Sequence, residues 1–304
     1  MHMIDPENGK PPDRRPATSC AAVSPHWDGS LGDAIRMLRR IPGGWTRRIA
    51  YGFLGLVTWW GATSRADDAI AVGRCRLVTV GTGVVDAVID ASTIVLDAGR
   101  EVRLAAIDVP GRRADDARHL LDGLIGQQVA LRNIAPDTDR YGRIRAQVFA
   151  SGEGGERWMQ SELIARGAAR VAARVGSRAC ATELLARESA ARNAKLGLWG
   201  EPYYAVKSAE DPAAIAADRG GFAIVEGKVL SVRESGATIY VNFGRRWSQD
   251  FTVTLLKRNE RSFAAEGVEP KRLERHRVRV RGFVEERGGP WIEAVRPEQI
   301  EIIE

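Results

Sequence analysis

The sequence predicts a mainly β protein with packed α-helices, a β+α fold. Short β-rich runs recur between residues 80 and 150 and again between 222 and 303, separated by Gly and charged residues. Two segments, 114–125 and 181–195, place apolar residues at helical spacing. The 304 residues allow two domains, and 44% hydrophobic with 28% charged residues excludes collagen, a long coiled coil and wholesale disorder.

The positive charge is concentrated at the start of the chain. The formal net charge is +6, but residues 1–66 hold 9 Lys or Arg against 5 Asp or Glu. Residues 67–219 hold 21 against 21, and residues 220–304 hold 15 against 13. Without the first segment the chain is nearly neutral, so the high pI alone does not indicate a nucleic-acid partner.

An export signal is predicted within residues 1–66. Arg47 and Arg48 precede an apolar run at 49–62, and residues 64–66 (Ser-Arg-Ala) end it with small residues at their first and third positions. These features are typical of a secretory signal peptide. The run of 14 residues is shorter than the roughly 20 that span a bilayer. An uncleaved anchor is the alternative, because two tryptophans in the run suit a membrane interface.

The signal predicts an exported protein, periplasmic or secreted, with no stable membrane anchor after cleavage. A more ordinary signal begins at Met37, so residues 1–36 are interpreted as a start-site artefact. Cys75 and Cys180 are the two cysteines beyond the signal, and they suit no metal cluster. In an exported chain they are expected to form a disulfide, with two free thiols as the alternative.

Composition divides the exported part into two domains. Residues 75–200 form the first, which contains predicted helices at 114–125, 158–166 and 181–195. Residues 201–219 hold Pro, Ala and charge without a pattern, which predicts a linker. Residues 220–304 alternate in short runs typical of a small all-β barrel.

Five short motifs carry a family resemblance. Their order and spacing resemble the staphylococcal-nuclease-like (thermonuclease) family over residues 80–200. The resemblance implies a five-stranded OB-type barrel with packed helices, followed here by a second, smaller OB-like barrel. It also implies Ca²⁺-dependent hydrolysis of DNA or RNA phosphodiesters. The motifs are residues 88–93 (VIDAST), 102–110 (VRLAAIDVP), 139–143 (DRYGR), 163–171 (LIARGAARV) and 197–199 (GLW).

The resemblance implies roles for five residues. Arg103 and Arg143 match the two arginines that clamp the phosphate, for which a planar guanidinium is suited. Asp108 matches a direct Ca²⁺ carboxylate, and Asp90 a carboxylate that supports the metal without binding it directly. Val109 falls where a backbone carbonyl binds the metal. A structural ion pair of Arg103 with Asp90 or Asp108 is the alternative.

Two positions depart from the family pattern. Ser92 replaces a direct Ca²⁺ carboxylate, so Ca²⁺, which takes 6–8 oxygens, is expected to bind weakly. Gly111 replaces the general base, and losing a positioned base costs roughly 10²–10⁴-fold in rate. Asp115 and Asp116 are candidate substitutes, although acids are also expected at the start of a helix.

The second barrel contains candidate nucleic-acid-binding residues. OB barrels bind single strands by stacking bases on aromatic side chains beside a basic groove. On this basis we predict contacts from Tyr240, Phe243, Trp247, Arg279 and Arg281. The alternative is that the aromatic residues are core and the arginines pair with nearby acids. A protein partner suits such a barrel equally well.

The sequence therefore predicts an exported nuclease-family protein with impaired or lost catalysis. The alternative is a non-catalytic envelope protein that binds nucleic acid or protein through two OB-type barrels. Whether the chain is an enzyme is left open, because Ser92 and Gly111 affect different parts of the mechanism.

The export signal makes one prediction about the mature protein. The exported chain is expected to begin near Asp67, because Ala66 closes the small-x-small motif. N-terminal sequencing of periplasmic or secreted material checks this. A mature chain that still carries residues 1–60 would contradict it.

Overall fold

Two β-sheets with the same strand connectivity organise the chain in a computed structural model, which describes residues 70–72, 75–152 and 154–303. The first sheet and the helices on it lie within residues 70–200. The strands of this part are β1 (Ile70–Val72), β2 (Cys75–Asp90), β3 (Thr93–Leu96), β4 (Arg100–Leu104), β5 (Ile107–Asp108), β6 (Gln128–Asn133), β7 (Ile144–Gly152), β8 (Gly155–Trp158) and β9 (Arg170–Val171). Its helices are α1 (Ala114–Asp122), α2 (Met159–Ala165) and α3 (Arg178–Asn193).

The first sheet is an OB-type arrangement of five strands. Its order is β1-β2-β3-β4-β7-β6, and β6 also pairs with β2, so strands β2, β3, β4, β7 and β6 form a ring. Strands β4 and β7 are parallel, and the other pairs in the ring are antiparallel. The 16-residue β2 pairs with β6 through its first half and β3 through its second. Register shifts in both pairings bend it as the ring requires. The predicted mainly β, OB-type fold is confirmed.

The three helices pack on this ring around one apolar core. In α1, Ala117 and Leu121 are buried, as their spacing of four residues on a helix requires. Helix α3 begins after Ser177, whose hydroxyl accepts the amide of Cys180 and caps the helix. Cys75 at the start of β2 and Cys180 on α3 are joined by a disulfide, with their Cα atoms 4.4 Å apart. The bridge attaches α3 to the first strand of the ring.

The second sheet repeats this connectivity. Its order is β10-β11-β15-β16-β14-β13-β12, with β14 and β16 parallel as β4 and β7 are in the first sheet. Strands β11 and β12 are separated by two residues and together take the place of β2. The elements are β10 (Lys207–Ser208), β11 (Phe222–Lys228), β12 (Ser231–Ser235), β13 (Thr238–Asn242), β14 (Thr252–Leu256), β15 (Arg277–Arg287), β16 (Gly289–Glu293), β17 (Ile300–Ile302), α4 (Pro212–Ala216) and α5 (Glu260–Ala265).

The segment expected to be a patternless linker, 201–219, contains regular structure. Strand β10 pairs in parallel with β11. Helix α4 begins after Asp211, whose side chain accepts a hydrogen bond from the amide of Ala214 and caps the helix. Tyr204 and Ile215 are buried, so both ends of the segment are anchored by apolar side chains. Sparse apolar residues separated by Pro and charge gave no periodicity from which this could be predicted.

A buried ion pair joins the two sheets. Arg281 on β15 donates from both terminal nitrogens to the carboxylate of Glu188 on α3, at 3.1 and 2.8 Å. The Arg281 side chain is fully buried and that of Glu188 is 1% exposed. Arg281 also donates to Glu301 at 2.6 Å and to the carbonyl of Val171 at 3.0 Å. Burial opposes ionisation of Glu188, but the charge and hydrogen bonds of Arg281 outweigh it and lower the pKa of Glu188.

The predicted export signal and the start-site artefact lie outside the described residues. Within the part that the structure describes, no helix is both long and apolar enough to cross a membrane.

The buried pair predicts a pH-dependent stability. The pKa of Glu188 is lower in the folded than in the unfolded chain. Ionised Glu188 therefore contributes fully to the free energy of unfolding above its unfolded-state pKa of about 4.3, and this contribution is lost as the pH falls further. Glu188→Gln is expected to lower the free energy of unfolding by about 3–5 kcal/mol at pH 7, because it leaves a buried cation less compensated. The difference from wild type is expected to shrink below about pH 4. Urea denaturation at pH 7 and below about pH 4 measures the free energy of unfolding of both proteins.

The control is Glu162→Gln, which removes an exposed ion pair with Arg166. That variant is expected to lose less than about 1 kcal/mol. The stabilising role of the Arg281–Glu188 pair would be contradicted if Glu188→Gln lowered the free energy of unfolding as little as the control does. It would also be contradicted if the difference in free energy of unfolding from wild type grew at acid pH.

Candidate phosphate and metal site

Asp90, at the end of β2, collects hydrogen bonds from the turn that follows it. The amide and hydroxyl of Ser92 donate to its Oδ1 at 2.8 and 2.9 Å, and the hydroxyl of Thr93 donates to Oδ2 at 3.0 Å. Short polar side chains commonly form such turns. Burial opposes ionisation of Asp90, but these bonds and the charge of Arg103 lower its pKa. Ser92 is itself buried, so its oxygen is already engaged by Asp90.

Arg103, on β4, pairs with the same carboxylate. The register of β3 and β4 places Arg103 opposite Thr93. Its Nη1 lies 3.3 Å from both oxygens of Asp90 and donates to the Thr93 hydroxyl at 3.1 Å. The structure thus contains the ion pair that was the alternative interpretation of Arg103. The side chain is 38% exposed, so a phosphate would have access to it.

Arg143 lies at the end of the turn between β6 and β7. Its Nε donates to Asp139 at 2.7 Å, and the amides of Tyr141 and Arg143 donate to the same carboxylate. The hydrogen bond to Asp139 raises the pKa of Arg143, and the charges of Asp90 and Glu101 add to the effect. Two arginines therefore lie within the electrostatic reach of Asp90, and each is already paired with a carboxylate.

Asp108 has a different partner. Strands β5 and β9 pair so that Asp108 lies opposite Arg170, whose Nε donates to Asp108 Oδ2 at 2.7 Å. The Arg170 side chain is 9% exposed, and its guanidinium lies 4.5 Å from the centre of the Phe222 ring on β11. Arg170 was not among the residues predicted from the sequence. Its only signal was its position inside the family motif at 163–171.

These contacts do not assemble the Ca²⁺ site that the resemblance implies. Asp90 is bonded to Ser92, Thr93 and Arg103, while Asp108 is bonded to Arg170. Among the described residues, no three His, Cys, Asp or Glu side chains gather as metal ligands. Ca²⁺ takes 6–8 oxygens, commonly with several carboxylates, and the carbonyl expected from Val109 supplies one neutral oxygen. The residues present, as they are arranged, do not fit the ion.

The position of the missing base is open to solvent. Gly111 begins a short 3-10 turn, is exposed, and would meet no other atom within 4 Å if it carried a Cβ. Asp115 and Asp116 lie in the first turn of α1, where negative charge is favourable, and Asp116 pairs with Arg113 at 3.2 Å. These contacts favour the interpretation of both acids as residues that stabilise the start of the helix.

Three of the five residues predicted to contact nucleic acid in the second sheet are engaged by other residues of the chain. Arg281 is buried against Glu188, and Arg279 is paired with Glu226 and with Glu301. Their alternation along β15 does put them on one face, but α3, β11 and β17 supply acids to that face. Phe243 packs on the core beside Phe251, with ring centres 5.0 Å apart. Tyr240 and Trp247 are exposed, at 36% and 73%.

The OB-type ring of strands, with three arginine–carboxylate pairs at its predicted site, is typical of a nuclease-type barrel. A family model described as staphylococcal nuclease homologue matches residues 101–201, which include Arg103, Asp108, Arg143 and Arg170. The chain is also 33% identical over 166 residues to Protein ParB of Escherichia coli, covering 52% of this chain and 89% of that protein. The chain belongs to the staphylococcal nuclease homologue family.

The Asp108–Arg170 pair makes a prediction about Ca²⁺. Arg170→Gln is expected to tighten Ca²⁺ binding by at least about tenfold, because the ion no longer competes with a charged hydrogen bond to Asp108. Isothermal titration calorimetry measures the affinity. The control is Arg174→Gln, which also removes one charge but leaves Asp108 paired, since Arg174 contacts Asp137. Equal Ca²⁺ affinity in wild type and Arg170→Gln would contradict the prediction.

Proposed function

We propose that the chain is an exported nuclease-family protein whose first barrel binds phosphodiesters and hydrolyses them slowly or not at all. The observation that carries the proposal is the 2.7 Å ion pair between Asp108 and Arg170. Asp108 is the acid expected to bind Ca²⁺ directly, and its carboxylate is already neutralised by a buried cation. Export is supported by the signal pattern before residue 67.

Hydrolysis requires more than phosphate binding. A base must remove a proton from the attacking water, and fixed positive charge must stabilise the transition state. Arg103 and Arg143 are positioned to supply positive charge, and each bonds its carboxylate through a single nitrogen, Nη1 in Arg103 and Nε in Arg143. Gly111 supplies no base, and Ser92 no second metal carboxylate. Binding without efficient turnover is the function that this set of residues supports best.

A second candidate is a wholly non-catalytic binding protein of the envelope, with a nucleic acid or a protein as partner. It is favoured by the exposed Tyr240 and Trp247 on the second sheet, which lie outside the family's catalytic barrel. In that case the first barrel is retained for its fold or for anion binding, and repair of its site produces no nuclease.

The test is cleavage of single-stranded DNA, double-stranded DNA and RNA by the purified full chain with Ca²⁺. Wild type is expected to be weak, and Ser92→Asp combined with Gly111→Glu to be at least about 10²-fold faster, because a positioned base contributes about that much. Gly111 has room for the new side chain. Each substitution alone is expected to raise the cleavage rate only slightly, because the base and the metal act as a unit.

The control combines Ser92→Asp with Gly123→Glu, which adds the same charge at the far end of α1. It is expected to remain near wild type. Robust wild-type cleavage that Gly111→Glu leaves unchanged would refute impaired catalysis. A folded Ser92→Asp, Gly111→Glu variant without activity would favour the binding protein instead.

A further inference from the structure

The second sheet has a groove on its outer face. Strands β12, β13, β14 and β16 form the floor, and the loop after β13 contributes Trp247. The groove measures about 730 Å³, within the range of roughly 300–1,000 Å³ typical of ligand sites. We call it the second-sheet groove and define it by Arg233, Tyr240, Trp247, Thr254, Arg287 and Trp291.

Strand register brings these side chains to one face. Arg233 lies opposite Tyr240, Tyr240 opposite Thr254, and Thr252 opposite Trp291. Their chain neighbours Ile239, Val241 and Val253 are buried in the core beneath, as the alternation of a strand requires. The groove is therefore a consequence of sheet geometry and does not depend on a single loop.

The floor of the groove holds polar atoms without partners. Among the described residues, the indole Nε1 of Trp291 and the hydroxyl of Thr254 are buried and make no hydrogen bond. Trp291 is 9% exposed and Thr254 is 6% exposed. Unpaired buried polar groups are uncommon in folded proteins and call for an explanation. Both residues line the groove, although these two atoms are themselves closed to solvent.

The groove also holds two cations without an ion-pair partner among the residues that the structure describes. Arg287 lies over the Trp291 ring at 4.3 Å. Within the part of the chain that the structure describes, neither Arg287 nor Arg233 forms an ion pair, in contrast to Arg103, Arg143 and Arg170 in the first barrel. Arg245 and Arg246 lie in the loop beside Trp247. One carboxylate, Glu293, lines the groove.

We propose that the second-sheet groove binds single-stranded nucleic acid. Exposed Trp247 and Tyr240 offer surfaces on which bases stack, and Arg233 and Arg287 offer positive charge to the backbone. Glu293 is suited to accept a hydrogen bond from a base amino group. A duplex would not expose base faces to the aromatic residues, and a neutral glycan would not require unpaired arginines. The inference deepens the second candidate function by naming its site and its partner, and it does not rest on catalysis in the first barrel.

Fluorescence anisotropy with a labelled oligothymidylate of about 12 nucleotides tests the inference on the full chain. EDTA is present throughout, so the result is independent of Ca²⁺-dependent cleavage. Trp247→Ala and Tyr240→Ala are each expected to weaken binding by at least about fivefold, since each removes a stacking surface. Arg233→Gln is expected to reduce the slope of log affinity against log salt by about 0.7, the value for one phosphate contact on a single strand.

Matched controls lie outside the groove. Tyr203→Ala removes a tyrosine that is 57% exposed, and Arg272→Gln an arginine whose side chain is 82% exposed. Both are expected to bind within about twofold of wild type. Circular dichroism verifies that every variant is folded.

Photocrosslinking with 5-bromouracil in the same oligonucleotide locates the contact. Cross-links are expected in the peptides that carry Tyr240 and Trp247. Groove variants that bind as wild type does, or cross-links confined to residues 75–200, would overturn the assignment. So would tighter binding of a neutral chitin oligosaccharide that Trp247→Ala abolishes, which would make the groove a glycan site.

Discussion

The ion pair of Arg281 and Glu188 is a fully buried charge pair that links the two sheets, beside the apolar contacts of residues 198–199 with residues 222–224. Both side chains have lost their water, which is costly unless each charge is closely matched. Here the match comes from two direct hydrogen bonds, a third from Arg281 to Glu301, and a fourth to the carbonyl of Val171. Removing Glu188 would leave Arg281 with Glu301 as its acidic partner, and removing Arg281 would leave Glu188 with Arg192 at 3.5 Å. Placements of the sheets that separate Arg281 from Glu188 are therefore disfavoured.

The same contacts extend to the candidate site. The carboxylate of Glu188 accepts a hydrogen bond from the amide of Val171, and Arg281 donates one to the carbonyl of Val171. Both backbone polar groups of Val171 are therefore bonded to the ion pair. Val171 is paired with β5, and the preceding residue, Arg170, lies between Asp108 and the Phe222 ring. The second sheet thus contacts the cation that is paired with the expected metal carboxylate. In our proposal this cation weakens the metal site in addition to the changes at Ser92 and Gly111.

The sequence was most informative where a local pattern decides the structure. Alternation and helical spacing predicted the elements of the first barrel, and the family motifs located Arg103, Asp90 and Arg143, which the fold brings near one another. Partner choice was not predictable. The Arg281 side chain is buried because α3 places an acid, Glu188, beside it. Glu188 is 93 residues away in the chain, so no local pattern predicts the contact. Asp108 and Arg170 are likewise 62 residues apart. The missed contacts are long-range pairs between charged residues, which periodicity does not detect.

A crystal structure determined in millimolar Ca²⁺ would show whether Arg170, which the second sheet contacts, withholds Asp108 from a metal. We expect the Arg170–Asp108 hydrogen bond to persist and no Ca²⁺ to lie between Asp90 and Asp108. A Ca²⁺ ion bound by Asp108, with Arg170 displaced while Arg281 and Glu188 remain paired, would contradict this expectation.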